Sequence, residues 1–194
     1  MLRALDNEPT PRQNALVRSM ADLVSTFETN AIEAAAQVRR IRSDAHDLRA
    51  AVRELTDGSS SVALGAGEFL PDGVIEVLRD LPGVLASPTD EQLSHAEVGI
   101  CGAFAGVASS GSVCVAMGPP LVTLTSLLMP LHIVLLMADR IVPRPRDLFD
   151  PARLKGDGLH RNLVFITGPS ATADMGPLVR GVHGPHRLQI LLLE

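Results

Sequence analysis

Two short stretches are rich in glycine and hydroxyl residues, a composition suited to exposing backbone amides to a ligand. They are Ser109-Ser110-Gly111-Ser112 and Gly168-Pro169-Ser170-Ala171-Thr172-Ala173-Asp174. The second follows an apolar run, residues 162–167. Gly168 permits a tight turn and Pro169 fixes φ. Ser170 or Thr172 can cap a short helix, and Asp174 suits the positive end of that helix. Free amides and hydroxyls at such a helix start bind phosphate or carboxylate, while an ordinary capped turn has the same composition. The first stretch leads into the apolar run 113–117, expected to be a parallel strand. Its small residues form either an anion nest or a plain loop. Neither stretch sets a serine between glycines at two-residue spacing, so no serine is marked as an activated nucleophile.

Histidines form the next group. His183 and His186 lie in Gly181-Val182-His183-Gly184-Pro185-His186, a spacing that can serve a metal but that Gly-Pro explains equally well as a turn. His183 is read as a hydrogen-bonding group of a pocket or as part of the turn. His132 opens an apolar strand after Pro130 and is either a satisfied histidine at a sheet end or a ligand contact. Gly65-Ala66-Gly67 resembles half of a dinucleotide loop, but Leu70 stands where the third glycine belongs, so no nicotinamide or flavin site is expected. Glu68 beside it is an acid–base candidate or an exposed loop glutamate. Cys101 and Cys114 sit in apolar surroundings and read as core thiols. Two cysteines cannot hold an iron–sulfur centre without other ligands or another chain. No cofactor and no metal are therefore expected.

These groups need a scaffold. The chain has 194 residues, enough for one large domain, and neither Trp nor Tyr, so the core is aliphatic. The formal charge of −5 leaves no excess of cations for nucleic acid. Arg39, Arg40 and Arg42 are read as a solvated helix face rather than a basic patch. The N-terminus lacks the apolar segment of a signal peptide, and no apolar run reaches membrane-spanning length, so a cytoplasmic location is expected. Residues 1–14 read as a flexible lead. Residues 15–55 read as helical, with Val17, Met20, Val24 and Phe27, then Ile32, Ala35 and Val38, then Ile41, Ala45, Leu48 and Val52 at helical spacing, and Thr29-Asn30 as a break. These helices are expected to pack on an α/β domain over 56–194. There, residues 62–64 and 84–86 flank a helix as a βαβ unit, which argues for parallel pairing. Residues 90–108 read as a further helix and 123–128 as a short one. Residues 132–137, 162–167 and 187–193 read as strands, the first and last nearly continuous apolar runs, as in strands covered on both faces. Residues 143–158 form a loop with a short helical piece at 146–149. The fold class is α/β, with a mostly parallel central sheet, flanking helices and added N-terminal helices.

The segments LVFITGPSATADM and LVRGVHGPHRLQILLLE resemble the C-terminal pattern of the lactate utilization protein C family, which carries a LUD domain. LLMPLHIVLLMADRIVPRPRDLF resembles that family's Pro-x-His-Ile strand, and VGICGAFAGVASSGSVCVAM extends the likeness over residues 95–194. Gly168, Pro169, Ser170, Thr172 and Asp174 match the family's Gly-Pro-Ser-x-Thr-x-Asp. Gly181, His183, Gly184 and Pro185 match its later turn, and Pro130, His132 and Ile133 its strand entry. The chain departs at Ser109, where members usually carry Glu; Ser110 and Ser112 keep hydroxyls. A serine cannot replace a carboxylate in proton transfer without an activator. The resemblance implies a three-layer sandwich like that of CoA transferases. It also implies a non-redox role in oxidising L-lactate to pyruvate, binding a small anion beside iron–sulfur partner proteins. An independent enzyme on sugar phosphates or CoA esters, or a regulatory anion sensor, are the other readings.

Overall fold

The computed structural model describes residues 11–65, 69–71, 73–117, 120–150, 162–173 and 176–194. Helix α1 (Pro11–Glu33) starts inside the expected lead and runs through Thr29-Asn30 without a break. Val24, Phe27 and Ala31 form its buried stripe. It stops because Ala35 turns left-handed, at φ 66°. The Ala36 amide then donates to the Ala31 carbonyl (3.0 Å) and the Ala35 amide to that of Ile32 (2.9 Å). This is the Schellman closure, in which a helix satisfies its last carbonyls. The spacing of Ile32, Ala35, Val38 and Ile41 therefore does not continue a helix. Past the stop, Val38 and Ile41 belong to strand β1 (Gln37–Ile41). Helix α2 (Ala45–Leu55) follows, its start fixed by the Asp44 carboxylate accepting from the Asp47 amide, with Leu48, Ala51 and Val52 buried.

Next come β2 (Val62–Leu64), α3 (Val74–Arg79), β3 (Val84–Leu85), α4 (Asp90–Ser94), β4 (Val98–Gly102), β5 (Ala105–Val107), β6 (Ser112–Met117), α5 (Pro120–Leu127) and β7 (Leu131–Met137). Strands β8 (Ile141–Val142), β9 (Asn162–Ile166), β10 (Ala171–Thr172), β11 (Val179–Arg180) and β12 (Arg187–Leu193) complete the described chain. Six strands form an all-parallel sheet in the order β1-β12-β7-β4-β2-β3. The βαβ unit β2-α3-β3 is there as expected, and the two apolar runs become the adjacent strands β7 and β12. On one face, Ile100, Ile133, Leu135, Leu191 and Leu193 pack against Leu48 and Val52 of α2 and Leu78 of α3. On the other, Cys101, Val134, Leu136, Ile190 and Leu192 pack against Val24 and Phe27 of α1 and against Val113 and Val115 of a second sheet. Among the described residues, no helix is long and apolar enough to cross a membrane.

The second sheet, β8-β5-β6-β9, corrects two expectations. Residues 90–108 are not one helix: α4 ends at Ser94, and the small apolar run becomes β4 and β5. A run buried on both sides lacks the alternation that separates strand from helix. Its Gly99 does serve close approach, because a Cβ there would fall on the Thr125 carbonyl of α5. Strand β6 is not parallel but pairs antiparallel with β5 and β9. The strand expected at residues 162–167 is present as β9, which lies at the edge of this smaller sheet, half exposed. The short piece at 146–149 is a 3₁₀ turn, Pro145–Phe149. The arginines at 39, 40 and 42 are not on a helix. Arg39 and Arg40 lie on the edge strand β1, paired with Glu54 and Glu28, and Arg42 pairs with Asp47. Such charges guard an exposed sheet edge and leave no free basic patch there.

Candidate functional site

Four of the candidates, Gly168, Ser170, His132 and His183, converge at the amino ends of β7 and β12. These strands are neighbours, with Leu188 opposite His132. The chain entering β12 is clamped to the start of β7: the His186 and Arg187 amides both donate to the Pro130 carbonyl, at 2.9 and 3.1 Å. The loop after β9 is clamped to the same turn. The Ser170 amide donates to the Pro185 carbonyl (3.0 Å), and the Gly181 amide to the Ser170 carbonyl (2.9 Å). Between them opens a cleft of about 350 Å³. Its lining includes Gly168, Ser170, His183 and His132, joined by Ser126 and Leu127 of α5, Phe165 of β9, and Leu188. This volume is at the small end of the ~300–1,000 Å³ typical of ligand pockets.

The other loop stands behind the cleft. Residues 109–112 form the β5–β6 hairpin turn rather than the entry to a parallel strand. Ser109 is exposed, and its amide donates to the Pro143 carbonyl at 3.0 Å. The Ser112 hydroxyl is buried and shares hydrogen bonds of 2.7 Å with the hydroxyls of both Ser110 and Thr167. Thr167 also lines the cleft, so the two loops are joined by a chain of hydroxyls. Both carry a glycine in the left-handed region, Gly111 at φ 63° and Gly168 at φ 71°. A Cβ on Gly111 would fall on the Ala31 amide, and one on Gly168 on the Ala34 carbonyl. The glycines thus seat the last turn of α1, which the Asn30 side chain also ties down by donating to the Ala108 carbonyl (2.7 Å). That turn is the negative end of a helix dipole, which disfavours an anion on this side of either loop.

The expected helix after Ser170 is absent among the described residues. Thr172 lies in β10, paired antiparallel with β11, because the chain turns back there instead of winding. It is outside the cleft lining. Asp174, and likewise Ala66, Gly67 and Glu68, lie outside the described residues. His183 reaches the cleft, whereas the His186 ring packs against Gly181, so their spacing serves the turn. Ser126, Leu127, Phe165 and Leu188 carried no local signal of a site, since each reads as an ordinary helix or strand residue.

His132 is the most unusual member. It is fully buried, and burial alone pushes its pKa down to about 4. Its Nε2 lies 3.1 Å from Cys101 Sγ, and among the described residues Nδ1 has no hydrogen-bond partner. Burial pushes the Cys101 thiol up to about 12, and the Cys114 thiol likewise. The imidazole and both thiols are therefore neutral at pH 7, which suits hydrogen bonding rather than charge pairing. The thiols also belong to different packing clusters. A third group of ionisable residues, Asp44, His46 and Asp47, clusters at the start of α2, but there Asp44 caps the helix and Arg42 pairs with both carboxylates.

Comparison with known proteins places this geometry. The LUD domain family pattern matches residues 24–193. The chain belongs to the LUD domain family. Similar proteins include lactate utilization protein C of Halalkalibacterium halodurans, 34% identical over 108 residues, 54% of this chain and 47% of that protein. Lactate utilization protein C of Exiguobacterium sp. is 36% identical over 104 residues, 52% of this chain and 45% of that protein. An uncharacterized protein of Neisseria meningitidis serogroup B is 30% identical over 104 residues, 53% and 45% respectively. The matched stretches thus span about half the length of these curated relatives. The crystal structure of a DUF162 family protein from Deinococcus radiodurans shares the fold, with a TM-score of 0.62 at 19% identity over 90% of this chain and 98% of that one. In this LUD domain, the cleft is built where the parallel sheet meets the smaller mixed one.

Proposed function

We propose that this LUD domain is a non-redox component of an L-lactate utilization system, binding a small anionic metabolite in the cleft around Ser170 and His183. The observation that carries the reading is the family match over residues 24–193, with relatives bearing the name lactate utilization protein C. Electron transfer falls to iron–sulfur partner proteins, because this chain has two cysteines, buried in different packing clusters, and a cluster takes four such ligands. The helices α2 and α3, the six-stranded sheet, and the layer of α1, α5 and the second sheet support a sandwich of the CoA transferase type. An enzyme acting on sugar phosphates or CoA esters fits the cleft less well. None of its described lining residues is Lys or Arg, and a phosphoester buried there would have no cation to pair with.

The test is reconstitution of lactate-dependent electron-acceptor reduction from purified partner proteins, with and without the full chain. The reading expects a higher rate, or a longer-lived activity, with the chain present. Unchanged rate, assembly and stability would sink it.

A further inference from the structure

The second sheet ends on one side in a bare strand. Among the described residues, β9 pairs with β6 and no strand lies beyond it. Alternate residues of such an edge turn their N–H and C=O groups outward, a template for pairing with another strand. The other described sheet edges are charged or short. Strand β1 carries Arg39 and Arg40 in ion pairs. Strands β3, β8, β10 and β11 have two residues each. Strand β9 has neither device. It reads Asn162-Leu163-Val164-Phe165-Ile166, without charge, Pro or Gly, and its Phe165 is exposed. A neutral, β-prone edge of this kind left in water is an aggregation hazard, so it suits a strand that another strand covers.

The residues of β9 say what covers it. A charged partner strand would bring its charges against Leu163 and Phe165, with no opposite charge to meet them. The match is therefore a neutral, apolar strand, and among the described edges of this chain β9 alone has that composition over five residues. Two copies can join about a two-fold axis normal to the sheet only if one residue pairs with itself, because opposed residues must share a face. With Val164 on the axis, all of β9 pairs: Val164 with Val164, Leu163 with Phe165, and Asn162 with Ile166. The faces agree. Leu163 packs with Cys114 and Ala116 on one side of the sheet, and Ile166 with Val113 and Val115 on the other. Each exposed Phe165 then stands opposite the half-buried Leu163 of the other copy. Aromatic–aliphatic and β-branched pairs of this kind favour antiparallel pairing. The contact uses the same patch on both copies, so it closes as a dimer and leaves no free edge to grow a fibre.

We infer that β9 is the seam of a homodimer, two copies pairing antiparallel about Val164 so that their four-stranded sheets become one. Phe165 and Ile166 also line the cleft, so the seam runs beside it in each copy. The inference holds whatever the cleft binds. Sedimentation velocity of the full chain over a range of micromolar concentrations tests it, and twice the mass of one chain is expected. Val164→Lys sets two like charges face to face and should give the mass of one chain with an unchanged circular dichroism spectrum. Val164→Glu should do the same, and an equimolar mixture of the two variants should regain the doubled mass. Under mild oxidation Val164→Cys should form a covalent dimer, since directly opposed strand residues lie within the span of a disulfide. Cys101 and Cys114 are buried and do not compete. A wild-type mass other than twice that of one chain overturns the inference. So does a doubled mass that persists in folded Val164→Lys, or a Val164→Cys chain that stays unlinked. If Val164→Lys fails to fold, the cross-link decides.

Discussion

Replacing Gly168 by alanine probes the junction on which the cleft is built. Gly168 sits at φ 71°, where an L-residue pays roughly 1–2 kcal/mol of backbone strain. Its new Cβ would coincide with the Ala34 carbonyl of the α1 terminus, so the helix end or the loop must move. Overpacking of this kind costs typically ~1–3 kcal/mol. Together these predict a loss of about 2–5 kcal/mol, a large share of the ~5–15 kcal/mol that stabilises a typical protein. Gly184, in the same cleft, is the internal control. It lies outside the left-handed region, and its added Cβ would stand 3.2 Å from Ser170 Cβ, so a small shift accommodates it. Gly184→Ala is expected to cost less than about 1.5 kcal/mol, as small volume changes do. Urea unfolding of both variants measures this, read as midpoint shifts at constant slope. A Gly168→Ala protein within 1 kcal/mol of wild type (~), or one no worse than Gly184→Ala, would refute the claim that this glycine seats α1.

Three further outcomes follow from the same structure. Ala35→Gly should stabilise the chain by about 0.5–1 kcal/mol, because glycine relieves the left-handed strain at φ 66° and loses part of that gain to unfolded-chain entropy; a lower urea midpoint would contradict it. His132, with its folded pKa near 4 and an ordinary value of 6.5, takes up its proton first in the unfolded chain. Its contribution is therefore full above pH 6.5 and is lost as pH falls from 6.5 to 4, approaching about 3 kcal/mol, and the pH slope of stability should be shallower in His132→Gln than in wild type. Both cysteines should resist alkylation at pH 8 in the native chain and label rapidly in denaturant; fast native labelling would contradict their buried, protonated state.

The central strands were legible because residues 132–137 and 187–193 are nearly continuous apolar runs, a pattern that a doubly covered parallel strand demands. Strand β1 was not, because Ile32, Ala35, Val38 and Ile41 repeat every three residues across a helix stop that carries Ala where glycine is usual. The run 98–108 was ambiguous for the opposite reason: buried on both sides, it has no period to read. Glycines 111 and 168 were visible as tight-turn residues, but their shared purpose was hidden, since each meets an α1 turn far away in sequence. The hydroxyl bond between Ser112 and Thr167 spans 55 positions and has no local mark. His132 was legible as a histidine at a sheet end; that among the described residues only one of its nitrogens has a partner depends on Cys101, which reads alone as a plain core thiol.

The most direct test of the account couples function to the cleft. Lactate-dependent acceptor reduction by the reconstituted partner proteins should rise when the wild-type chain is added, and rise less with a Ser170→Ala, His183→Ala double variant that folds normally. A rate that is the same with no chain, with the wild-type chain and with the double variant would contradict it.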